Sequence, residues 1–277
     1  MFVMFAYPMT YMQGIIAFYG SVAVFFYGYL TNSNTVNFLT SSRNYISVLL
    51  ILVASLYYIA LQNAEREIKL IDLLPAFFCF LLSIWATGRG GILSSFVLLA
   101  LVTLYYAKNY AKHSTKRYLL LGLIIMLVVV YLLASNVNLL DSFMNLGKWS
   151  SRGTDNTTRG LIWGSYFEKL RGNFLYVLTG APLNQISIIH AYNNNTHNSF
   201  LQLHANNGLI MFAMFFVLMI RSLVYHKKNE KELLAIITIT IVVRGMTDKF
   251  IFGQYGMPIM MYLVLYPYVK SHLEAHK

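Results

Sequence analysis

The chain has 277 residues, of which 57% are hydrophobic and 11% charged, with a mean hydropathy of +0.56. Soluble domains carry about 25% charged residues, so a soluble globular fold is excluded and lipid must solvate much of the surface. The net charge of +11 does not point to nucleic acid, because no basic stretch is interleaved with aromatics in a soluble module. It matches the Lys/Arg excess of cytoplasmic loops, with some anionic-lipid contact.

In chain order, apolar runs predict an all-α, polytopic transmembrane helical bundle of about eight spans. They fall at roughly 11–30, 45–61, 73–87, 91–107, 118–134, 208–225, 233–252 and 257–269, so residues 1–277 read as a single integral membrane domain. Several are shorter than the ~20 residues that a ~30 Å hydrocarbon core requires, and tilt or local thinning makes up the difference. The first apolar stretch begins at Phe2, lacks a basic start and runs too long for a signal peptide. The 21 tyrosines and 19 phenylalanines suit rings seated at the two headgroup levels. The single cysteine, Cys79, lies in an apolar run, so no intrachain disulfide forms. No internal repeat is visible.

Lysine and arginine set the sides. Lys108, Lys112, Lys116 and Arg117 fall between the fourth and fifth spans, and Lys227, Lys228 and Lys231 between the sixth and seventh. Arg66 and Lys69 precede the third span, and Lys270 and Lys277 follow the last. If the spans alternate, all four regions share one side, which is cytoplasmic by the positive-inside rule. Arg43, Arg89, a long loop over 135–206 and a turn at 253–256 then face outward. The loop also holds Lys148, Arg152, Arg159, Lys169 and Arg171, but long loops cross the membrane regardless of charge.

That loop is mostly polar, with Asn136, Asn138, Asp141, Arg152, Asp155 and Asn156 in its first part. Thr158 is placed to cap a short helix over about 159–171. Its i, i+4 aromatics Trp163 and Phe167 predict a helix lying in the membrane interface. Gly180-Ala181-Pro182 breaks the chain again. After Asn193-Asn194-Asn195-Thr196, His197-Asn198 leads into Phe200, Leu201, Leu203 and Leu209, which reads as a helix running inward.

On spacing alone, His197 is either a loop histidine with a solvent partner or a reactive imidazole. His190, His197 and His204 recur every seven residues. However, no cysteine and no His-Glu-x-x-His accompany them, so a zinc site has little support.

Read whole, the run His197-Asn198, nine residues, Gly208 resembles the signature of the bacterial O-antigen ligase and O-antigen polymerase superfamily. It departs at the last position, where Met211 stands in place of Gly, Thr or Val. Three further features look like the same superfamily. These are Thr87-Gly88-Arg89-Gly90-Gly91 between two spans, Thr158-Arg159-Gly160-Leu161-Ile162-Trp163 in the loop, and Arg244-Gly245-Met246-Thr247-Asp248 late in the chain. The resemblance covers about 73–252, and its order and spacing fit.

The resemblance implies a glycosyltransferase of the polytopic lipid-sugar type in the bacterial inner (cytoplasmic) membrane, with its active site facing the periplasm. Its substrate would be an oligosaccharide carried on undecaprenyl diphosphate, its setting the lipid bilayer, and a chain-length regulator a further expected partner. The family needs no metal and no cofactor.

The residue chemistry suits such a transfer, which needs a base for the attacking sugar hydroxyl and positive charge on the departing diphosphate. Histidine titrates near neutral pH, which makes His197 the candidate base. Arginine stays charged and grips phosphate oxygens with a planar fork, which makes Arg89, Arg159 and Arg244 the candidate diphosphate ligands. Each has a plainer alternative: a tight Gly-rich turn for Arg89, an exposed interface residue for Arg159, and a structural pair with Asp248 for Arg244. Arg244 follows the run 233–243, ~17 Å of helix, and an ionisable group that deep is functional by default. Arg221 is expected to snorkel to the inner surface. Asn198 is expected to orient His197 or to bind sugar.

The leading expectation is a polymerase that joins lipid-linked repeat units into O-antigen, capsule or exopolysaccharide. A ligase moving finished glycan onto lipid A-core shares the site and differs in acceptor. A lipid-glycan flippase or solute transporter is the reading from another class, although such proteins often show repeats and midplane sites, whereas here no repeat is visible and the suspected groups gather at one face.

Overall fold

The computed structural model describes residues 9–31, 44–86, 89–110, 115–116, 120, 122, 156–252 and 256–275. Nearly all of the expected fifth span, Thr87 and Gly88, and the first part of the outer loop with Asp141, Lys148, Arg152 and Asp155 lie outside the described residues. Within the described residues there are helices and loops and no strand.

The helices are α1 (Tyr11–Thr31), α2 (Asn44–Asn63), α3 (Leu74–Trp85), α4 (Arg89–Asn109), α5 (Asn156–Gly172), α6 (Leu175–Thr179), α7 (Ser187–Ala191), α8 (Ser199–Lys228), α9 (Glu232–Thr247) and α10 (Met257–Ala275). Four of them are long and apolar enough to cross a membrane: α1, α2, α4 and α8. α3 is a shorter apolar helix, and α9 has 16 residues.

α2 is the enclosed member, with α1, α3, α4 and α9 packed around it. α8 joins the bundle through α9 and α10 and leaves Ile210, Met214, Val217, Ile220 and Val224 exposed at three- and four-residue intervals. That spacing is one helix face, and on a hydrophobic span it is the face for lipid. Polar side chains inside these helices are quieted locally. Ser55, Ser94, Ser95, Thr238 and Thr240 each donate to a carbonyl one turn back, as hydrocarbon requires of any hydroxyl it surrounds.

Two buried polar knots pin the end of the bundle that carries the lysines. Before α3, Asp72 is 2% exposed. It accepts from the Tyr11 and Tyr57 hydroxyls and from the Lys69 N–H, while its carbonyl accepts from Tyr58. In α10, Pro267 has no N–H to give to the carbonyl of Leu263. Ser222 of α8 donates to that carbonyl at 2.7 Å, and the His226 Nε2–H approaches it at 3.1 Å.

The predicted span 208–225 is only the second part of a longer helix. α8 begins at Ser199 and continues through a break at Gly208, whose φ of 74° and ψ of −176° are not helical. The predicted span 233–252 is too long at its far end. α9 stops at Thr247, and Asp248 is extended with φ −161° and ψ 163°. Arg244 therefore sits in the last turn of its helix and not at mid-span. Its burial, 1% exposed, comes from the segments packed over it.

Candidate functional site

The described part of the long loop, 156–206, folds into its own small core. Ile162 and Tyr166 of α5 pack with Leu183, Ile186, Ile189 and Ala205. The helix begins at Asn156, two residues before the expected start, so Thr158 lies in its first turn. The two expected interfacial aromatics part company. Trp163 packs against this core and its indole N–H donates to the Thr196 carbonyl at 2.9 Å, while Phe167 is 46% exposed. Among the described residues, the large apolar side chains of the loop most exposed to the surroundings are instead Leu161, Phe174 and Leu175.

Backbone meets backbone where the loop docks on α8. The break predicted at Gly180-Ala181-Pro182 is present, with Gly180 at φ 87° capping α6. A Cβ on Gly180 would strike the carbonyls of His204 and Ala205, and a Cβ on Gly208 would strike the carbonyl of Leu178. The signature glycine is thus the notch in α8 into which α6 fits. His204 closes the joint. Its Nε2 is 2.8 Å from the Val177 carbonyl and must donate to it, so its Nδ1 accepts from the Tyr166 hydroxyl at 2.6 Å. Burial pushes the Tyr166 phenol above its ordinary range. With both ring nitrogens taken, His204 has none for a zinc ion shared with His190 and His197.

His197 stands at the turn between this loop core and α8. Its φ is 51°, an uncommon left-handed conformation for a side-chain-bearing residue. Its N–H donates to Asn195 Oδ1 at 2.9 Å, and its ring lies edge-on to Tyr192 with centroids 5.9 Å apart. The Asn198 side chain is engaged within the chain. Its Oδ1 caps α8 by accepting from the N–H groups of Phe200 and Leu201, and its Nδ2 donates to the Met246 carbonyl at 3.3 Å. Asn198 fixes the residue before it by tying the start of α8 to the end of α9.

Ser199 strengthens the tie. Its hydroxyl donates to the Asp248 carbonyl at 2.7 Å and accepts from the Ile251 N–H at 3.0 Å. Gly245 permits the approach, since a Cβ there would lie 2.8 Å from Ile251 Cγ1 and 3.4 Å from Ser199 Cβ. Gly90, beside Arg89 at the start of α4, packs against Thr247 so closely that its own Cβ would lie 2.7 Å from the threonine Cβ. The Gly-rich turn, the His-Asn run and the Arg-Gly-Met-Thr-Asp run are therefore neighbours in space. Trp163 of the loop helix attaches to the same place through Thr196.

Arg244 is the deepest charge there. Its Nη1 donates to Thr247 Oγ1 at 2.9 Å and its Nη2 to Asp248 Oδ2 at 3.3 Å. Its Nε is buried with no hydrogen-bond partner among the described residues. The structural pairing with Asp248 is real, yet it occupies only part of the guanidinium. The charge of Arg159, from the first turn of α5, also acts on Arg244. A like charge acting on a guanidinium that has one carboxylate partner favours an added anion. Arg221 lies elsewhere, over the Tyr268 ring at 5.8 Å.

Ser199 had no assigned role in the sequence, and the contacts made by Thr247, His204 and Gly180 were not foreseen there. Thr247 carried a usable signal, because a threonine three residues after an arginine in a last helical turn can bond back to it. His204 was visible only as the third member of the seven-residue histidine spacing. No family model matches the chain, and no curated protein or solved structure matches it.

Proposed function

We propose that the chain is an inner-membrane glycosyltransferase that polymerises oligosaccharide repeat units carried on undecaprenyl diphosphate. The observation that carries the reading is Arg244. It is 1% exposed, partly neutralised by Asp248, orphaned at Nε, and within reach of the charge of Arg159. A leaving diphosphate supplies the missing negative charge and acceptor oxygens. The fork of Arg244 and the guanidinium of Arg159 hold it, and Arg89 is the third proposed ligand.

In the transfer, His197 takes the proton from the acceptor sugar hydroxyl as that oxygen bonds to the anomeric carbon of the donor. The bond from that carbon to the phosphate oxygen breaks, and the electron pair leaves on the diphosphate. Asn198 and the Asn195 carboxamide hold the backbone at His197 in place during this step. The fold suits a reaction on a lipid-borne substrate, since the site segments crown a bundle with an exposed apolar α8 face.

The test reconstitutes the full chain in lipid nanodiscs with undecaprenyl-diphosphate oligosaccharide and resolves products on a gel. A polymerase yields a ladder, and His197→Ala, folded by thermal unfolding, loses it by ~100-fold or more. A single transferred band points to the ligase reading. Unchanged turnover in His197→Ala ends the proposal.

A further inference from the structure

The outer loop holds a second feature that the transfer chemistry does not use. A groove of about 570 Å³ runs between α5 and the segment leading into α7, within the ~300–1,000 Å³ typical of small-ligand clefts. Ser165, Glu168, Gln185 and Ser187 line it, and their side chains make no hydrogen bond or ion pair among the described residues. Tyr176 supplies one aromatic wall, with Lys169 Nζ 5.7 Å from the centre of its ring.

Ligand chemistry follows from that inventory. Glu168 and Lys169 cancel in charge, so the groove does not attract a polyanion. Its mixed hydroxyl, carboxylate and carboxamide groups are wrong for an acyl chain. Adjacent sugar hydroxyls both donate and accept, and they match such a set; the C–H face of a sugar ring matches the tyrosine wall. We infer that this groove is an oligosaccharide-binding site, separate from the diphosphate site. The glycan-transfer reading explains why a glycan would be present.

Position supports the separation. Glu168 follows Arg159 by nine residues on α5, ~14 Å along the axis and half a turn round it at ~3.6 residues per turn. A glycan anchored in the groove is therefore held by a part remote from its reacting end.

The test uses the full chain in nanodiscs and a printed array of lipid-free bacterial surface glycans, followed by saturation-transfer NMR on those bound. Saturable binding is expected, weakened at least tenfold by Glu168→Ala combined with Gln185→Ala, both solvent-facing changes that leave thermal unfolding unaltered. Inorganic pyrophosphate should not compete. Absence of any bound glycan, binding indifferent to the double substitution, or displacement by pyrophosphate would each overturn the inference. The readout needs no transfer, so a dead transferase with an intact groove sinks only the preceding reading.

Discussion

Replacing Gly208 by alanine tests how the long loop is held. Two costs combine at this position. The backbone sits at φ 74° and ψ −176°, a region reserved for glycine, and forcing another residue there costs ~1–3 kcal/mol. The new methyl would also press into the Leu178 carbonyl, with Thr179 C 2.9 Å away. Those atoms are backbone, so relief requires α6 to move off α8. Taking ~2 kcal/mol as a floor, docking of the loop weakens by ~30-fold.

Amide hydrogen exchange in nanodiscs reads this directly, because local opening sets the rate for protected amides. The Gly180 N–H, bonded to the Tyr176 carbonyl at 3.0 Å, should exchange at least ~30-fold faster. Gly164→Ala is the control. Its Cβ would meet nothing within 4 Å, and in a helix interior the change favours folding by up to ~1 kcal/mol. A Gly208→Ala protein with wild-type protection at Gly180 would refute the notch as the anchor of the loop.

Asp248→Ala leaves Arg244 without its carboxylate. Breaking a buried pair costs ~3–5 kcal/mol, and because the Asp248 side chain is 22% exposed the loss should fall near ~2–3 kcal/mol, read as a lowered unfolding midpoint that pyrophosphate partly restores. Asn198→Ala removes a cap worth ~1 kcal/mol and the link to Met246, so unfolding should shift modestly while transfer falls further, through misplacement of His197. Tyr166→Phe leaves His204 Nδ1 without a donor at a buried joint, costing ~1–3 kcal/mol, measurable as faster exchange in α5 and α6. The raised phenol of Tyr166 also gives the loop an alkaline limit. The neutral form is the favoured one in the folded state, so its contribution is complete below the ordinary value of 10.0 and drains away as pH rises above it. Trp163 emission, with the other tryptophans replaced, should report that opening, and Tyr166→Phe should lack this alkaline component.

The apolar periodicity of 11–30, 45–61 and 91–107 was enough to place α1, α2 and α4, because a span is a local property of composition and length. The loop helix was also legible, to within a few residues. What failed to read out was tertiary. Nothing near Asn198 announces that its amide will reach Met246, 48 residues further along the chain, and its polar character fitted a sugar ligand equally well. Arg244 was recognised as costly, but its depth was measured along a helix expected to continue to 252. The helix ends at Thr247, and only packing explains the burial. Gly208 was noticed through a spacing pattern, and its physical role as a notch required the position of Leu178, thirty residues upstream.

The proline in α10 has a mechanical corollary. A carbonyl left without its helical donor is a single, fixed point, and Ser222 and His226 both reach for it. Sliding α8 by even one residue would strip both partners away together, so the two helices are keyed there as a tooth is keyed to a gap. Relative motion of α8 and α10 that keeps both bonds must then pivot about this point.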